Sequence, residues 1–170
     1  PPLSAAQRAR AARITAYARS LPPDAAFIVD GTMADPRWLD VTIDANERTR
    51  AGHCFLGKCD EANDMPTGLA RMCTARSYLS QWADGVSQLD ALRHLPRTAV
   101  PTLIVANGAD DGVPASHAPR MFDAVAHGRK RIATIAGATH YYITSDAGRA
   151  RLQRTQLAAA VRLIGEFVDE

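Results

Sequence analysis

The feature that most constrains the fold lies after Pro101. Thr102-Leu103-Ile104-Val105 is a continuous apolar run, the pattern of a strand buried on both faces. A loop over 106–114 leads to Ser116 and a helix expected to reach Ala126, with Met121, Phe122 and Val125 facing inward. Arg129-Lys130-Arg131 then enters a second apolar run, Ile132-Ala133-Thr134-Ile135. Gly137-Ala138-Thr139-His140 and a long C-terminal helix follow. Two strands joined through a helix run parallel, because the crossover carries the chain back to the end it left. Leu157, Val161, Ile164 and Val168 stripe the last helix at i, i+4, i+7 and i+11, a face expected to pack on the core. The class is α/β.

Upstream the pattern is looser. Residues 4–20 are rich in Ala and Arg, with Ile14, Tyr17 and Leu21 at i, i+3 and i+7, which reads as a surface helix capped by Ser4. Pro22-Pro23 ends it. Phe27-Ile28-Val29 reads as a short strand. From Asp30 to Pro66 there are turn residues and no sustained period. Such a stretch is either a lid or binding loop or a packed excursion without a binding role. Trp38, Leu39, Phe55 and Leu56 argue against a flexible linker, which gains nothing from large apolar side chains. Thr67 is the expected cap of a helix to about Trp82, with Leu69, Met72, Cys73, Leu79 and Trp82 on one face. Leu89, Leu92 and Leu95 suggest a shorter helix ending at Pro96. The chain thus divides into a helical and irregular, cap-like region over 1–96 and a βαβα part of the core over 97–170.

Two parallel strands, or three with 27–29, cannot cover both their faces and their edges. The strand at 102–105 is therefore expected to be part of a larger sheet.

At 170 residues, the length suits a single core. Twenty Lys+Arg against eighteen Asp+Glu leave a net charge of +2, too small and too scattered to argue for nucleic acid or an anionic membrane. No apolar run approaches the roughly 18 residues of a membrane span, and Pro-Pro-Leu-Ser-Ala-Ala lacks the layout of a signal peptide. The cysteines, Cys54, Cys59 and Cys73, are too few for a disulfide scaffold. Cys54 and Cys59 leave a bridge open, but their C-x4-C spacing beside His53 matches no common zinc pattern. Cys73 is expected in the core. Neither a metal nor a cofactor is expected.

Two chemically capable residues stand at strand ends. Asp110 follows Val105 by five residues, and His140 follows Ile135 by five. In a parallel sheet, loops leaving the carboxyl ends of neighbouring strands share the edge where ligands bind. A carboxylate there can hold an imidazole in the tautomer that abstracts a proton from a nucleophile and returns it to a leaving group. Counting from the strand end, and back from Pro114, selects Asp110 as the acid; counting from Gly108 selects Asp111. Two registers agree on Asp110, which leaves Asp111 as a loop cap. His53, His94, His117 and His127 have no comparable context and read as surface or helix residues.

From Val100 to Glu170 the chain resembles the C-terminal end of an α/β-hydrolase. In that family a strand, a G-x-x-D-x-x-V-P loop, a helix, a strand, a Gly-x-x-His loop and a last helix follow in order. Asp110-Asp111-Gly112-Val113-Pro114 fits the acid loop and Gly137-Ala138-Thr139-His140 the histidine loop. Met33–Asp40 and Thr74–Trp82 are similar to the excursion that some bacterial hydrolases insert ahead of the acid strand. The resemblance implies a serine hydrolase acting on a small-molecule ester or amide, with Asp110 and His140 as acid and base of its triad. The nucleophile elbow G-x-S-x-G and the oxyanion-hole strand are absent from the sequence. The family's order puts them upstream, so the implied partner is an N-terminal portion of the same hydrolase carrying the nucleophile serine. The competing reading is a non-catalytic α/β module that pairs through an exposed sheet edge. A small α/β domain whose Asp and His only resemble a pair is the third.

Overall fold

The computed structural model describes residues 5–29, 36–48, 50–64, 72–83, 85–142 and 147–170. In chain order the elements begin with α1 (Ala5–Ser20), β1 (Ala26–Ile28), α2 (Pro36–Leu39), β2 (His53–Cys54), β3 (Gly57–Lys58) and α3 (Cys59–Asp64). Next come β4 (Met72–Thr74), α4 (Ala75–Gln81), α5 (Ala91–His94) and a 3₁₀ turn at Leu95–Arg97. The chain closes with β5 (Thr102–Asn107), α6 (His117–Ala124), β6 (Lys130–Ile135) and α7 (Ala147–Val168). The protein is mixed α/β with small sheets. No described helix is long and apolar enough to cross a membrane. The chain forms two compact units, one of 1–36 with 56–90 and one of 37–55 with 91–170.

In the first unit β1 pairs antiparallel with β4, Phe27 opposite Cys73 and Ile28 opposite Met72. The expected strand at 27–29 is present, but it joins this pair rather than the parallel sheet. The expected helix from Thr67 to Trp82 is corrected: 67–71 lie outside the described residues, and Met72–Thr74 is a strand. Helix α4 starts only after Thr74, whose hydroxyl accepts the amide of Ser77 at 3.2 Å and so satisfies a donor the first turn leaves open. A three-residue strand holds too few side chains to display a period of two, which is why Met72 and Cys73 blend into the helical pattern beside them. Met72 and Trp82 are exposed, not core. Ala18, Val29, Tyr78 and Ala83 form the buried centre, with Ile14, Phe27, Cys73, Leu79 and Val86 packed against it. Phe27 meets Tyr17 and Tyr78 edge-on, with ring centroids at 5.9 and 5.4 Å. The Ser4 cap lies outside the described residues.

In the second unit β5 and β6 run parallel, in register from Thr102 opposite Lys130 to Asn107 opposite Ile135. Helix α6 makes the crossover, and both α6 and α7 pack against both strands. Every residue of β5 is half-buried, so the expectation of a strand buried on both faces is corrected. Among the described residues this sheet has two strands, and a pair that narrow leaves its flanks open whatever covers its faces. A second correction concerns α7. Leu157, Val161, Ile164 and Val168 are 46–74% exposed, whereas Gln153, Gln156 and Ala160 are buried. The inward face opens with two glutamines, because the loop beneath them has backbone groups that polar side chains satisfy, and continues with Ala160, Leu163 and Phe167.

Ser116 precedes α6 as expected, but its hydroxyl caps nothing. Asp44 takes the capping role from a distant segment, accepting the Ser116 amide at 2.9 Å and its hydroxyl at 2.8 Å. Within 37–55, Trp38 is buried and Arg48 lies over its ring at 5.0 Å. The Arg48 guanidinium also donates to the carbonyls of Arg37 and Ile43, so this segment is packed and not a linker.

Candidate functional site

The carboxyl ends of β5 and β6 each release one short loop. Because the strands are parallel and in register, both loops emerge on the same side. The first carries Asp110 and Asp111, the second His140. Asp110 Oδ1 lies 3.0 Å from His140 Nδ1. The same oxygen accepts the amides of Gly112 and Val113, each at 2.7 Å, an Asx-type turn that aims the carboxylate before any ligand arrives. Asp110 is buried and His140 half-buried. Asp111, read from the sequence as the cap, instead turns its carboxylate to the backbone amide of His140 at 3.4 Å. Burial pushes the Asp111 carboxyl above the usual carboxylate range.

Several residues with no sequence signature hold the pair in place. Asn107, the last residue of β5, donates to the carbonyls of Thr139 and His140 and accepts the Tyr142 hydroxyl at 2.8 Å. Glu47 receives the Gly137 amide on its carboxylate, while its own amide donates to the Gly108 carbonyl. Asn46 donates to the carbonyl of Asp110 at 2.8 Å, and the amide of Phe55 donates to that of Asp111. The Phe55 ring lies 4.7 Å from the His140 ring, and Tyr141 meets both rings edge-on. From α7, Gln153 accepts the Thr139 amide and hydroxyl and donates to the Gly137 carbonyl. The segment 37–55 thus braces both loops from one direction and α7 from another.

Gly112 has a specific reason to be glycine. A Cβ there would stand 2.6–2.8 Å from the His140 ring, so the imidazole rests on bare backbone. With the Nδ1 proton donated to Asp110, Nε2 carries the lone pair, and no described residue hydrogen-bonds it. A pair held this way has the geometry that a carboxylate-supported general base requires.

No match to the chain is found among family models, curated proteins or solved structures.

The other singled-out residues stand elsewhere. Cys54, Cys59 and Cys73 are free thiols, the first two buried. Cys73 is half-buried on β4 rather than on a helix, and burial raises its thiol above the ordinary range. Among the described residues no three His, Cys, Asp or Glu side chains are grouped to hold a metal ion. The imidazole of His117 lies 3.4 Å from Arg37. His127 follows α6 rather than lying in it, and is half-buried with both its ring nitrogens buried. Phe55, Asn107 and Gln153 were missed in the sequence. The one usable signal was Gln153 and Gln156, two polar residues that fall on one face of the helix.

Proposed function

We propose that this chain is the acid–base part of a serine hydrolase of the α/β-hydrolase type, cleaving a small-molecule ester or amide. Asp110 orients His140, and His140 Nε2 takes the proton of a serine borne by an N-terminal portion of the same hydrolase, then returns it to the leaving group. The observation that carries the reading is the 3.0 Å approach of Asp110 Oδ1 to His140 Nδ1 at the carboxyl ends of two adjacent parallel strands, with Nε2 left available. The half-buried β5 supports the need for further sheet, and the irregular region over 1–96 is the cap-like excursion of this reading. A second reading, a non-catalytic module pairing through the flank of β5, draws on the same half-burial.

The two part on one experiment. Native material is treated with a fluorophosphonate and its denatured polypeptide masses are measured. The hydrolase reading expects the label on a co-purifying chain or on a longer chain containing this sequence, and expects His140→Ala to abolish it. Labelling that survives His140→Ala, or an unlabelled chain with no companion, overturns the hydrolase reading in favour of the module.

A further inference from the structure

Helix α7 has two faces. One, made by Gln153, Gln156, Ala160, Leu163 and Phe167, is turned from solvent. About 100° around the helix lie Leu157, Val161, Ile164 and Val168, which are exposed. Their spacing of four, three and four is the a/d repeat of a helix–helix seam, with β-branched valines at the a positions and Leu and Ile at d. A stripe this narrow suits one partner helix, not a broad core.

The charges say which helix. No acidic residue lies in the first turn of α7 and no basic one in its last. Arg149, Arg151 and Arg154 crowd the amino half, while Asp169 and Glu166, the latter 3.8 Å from Arg162, lie toward the other end. Both groups oppose the helix dipole. An antiparallel copy of the same helix brings Arg154 of each toward the acidic end of the other and opposes the two dipoles. We propose that α7 is a self-association surface, pairing antiparallel with α7 of a second copy about a two-fold axis between Val161 and Ile164. That register sets Leu157 beside Val168 of the second copy and brings Arg154 toward its Asp169. Glu170 is already held by Arg131 of its own chain, at 2.6 Å. The acidic end and the lack of an aromatic residue in the stripe favour a protein helix over an anionic membrane. This inference does not depend on the chemistry of Asp110 and His140.

Sedimentation equilibrium over a concentration series is the test. The expected result is a mass rising toward twice that of the chain, with Ile164→Glu remaining monomeric at unchanged circular dichroism. In a Cys73→Ser background, Leu157→Cys with Val168→Cys in one chain is expected to oxidise to a covalent dimer, and neither substitution alone to do so. In the antiparallel register like positions lie about 16 Å apart along the axis. A monomer at every concentration overturns the proposal, as does a dimer indifferent to Ile164→Glu. Cross-linking by Leu157→Cys alone overturns the antiparallel arrangement. Binding to anionic vesicles that Ile164→Glu abolishes, without dimerisation, assigns the stripe to a membrane instead.

Discussion

At the scale of single residues, the site is held by contacts that leave no spare room. Gly112→Ala forces a methyl group into the His140 ring, and overpacking of this kind costs about 1–3 kcal/mol. The expected outcome is a lowered melting temperature with shifted His140 ring resonances in nitrogen-correlated NMR. Unmoved resonances would refute the contact. Asp111 makes a separate prediction through pH. Its folded-state carboxyl is raised above the ordinary value of 3.8, chiefly by burial, so the folded state binds the proton more tightly than the unfolded chain. That contribution to stability is complete below the unfolded value and lost as pH rises through the folded one. Asp111→Asn therefore gains stability over the parent at neutral pH, and the gain vanishes in acid. Urea midpoints at several pH values test this, and a pH-independent difference would contradict it. Asp110 and His140 were legible in the sequence because each follows its strand by a fixed offset. Phe55 and Asn46 were not, since nothing local distinguishes them and they meet the site through some 60–90 residues of intervening chain.

At the scale of elements, α7 works as a clamp on the histidine loop. Gln153 is 1% exposed and makes three hydrogen bonds to Gly137 and Thr139. Gln153→Leu keeps the bulk and orphans those groups, at about 1–3 kcal/mol for each one left buried and unpaired. A lower urea midpoint at constant slope is expected, together with movement of the His140 resonances; a loss of stability without that movement would make Gln153 a packing residue only. The helix was legible in the sequence and its orientation was not. Its apolar stripe is the stronger periodic signal, yet the face led by Gln153 and Gln156 is the one turned inward, because hydrogen-bond demand beneath a helix leaves no trace in its hydrophobic pattern. Likewise β1 was legible as a strand, but its antiparallel partner was hidden inside an apparent helix.

At the scale of the whole molecule, the two compact units have cores with no residue in common. Truncating Tyr78, 5% exposed in the first core, to alanine costs on the order of 3–5 kcal/mol by analogy with other buried aromatics. Hydrogen exchange is expected to speed up over 5–29 and 72–83 while β5 and β6 keep their protection. Equal acceleration in both units would show that they open together. The units interleave along the chain, 37–55 joining the second from between two pieces of the first. No shift of composition marks those crossings, which is why a single boundary near residue 96 was the natural reading of the sequence.

By itself the sequence determined the α/β class, the parallel βαβ unit and the strand-end positions of Asp110 and His140. These follow from periodicity and offset, which act over a few residues and are written locally. Tertiary structure alone decided which oxygen meets the imidazole, which residues brace it and which face of α7 is turned inward. Those outcomes depend on groups far apart in the chain, whose hydrogen-bond demands no local period encodes.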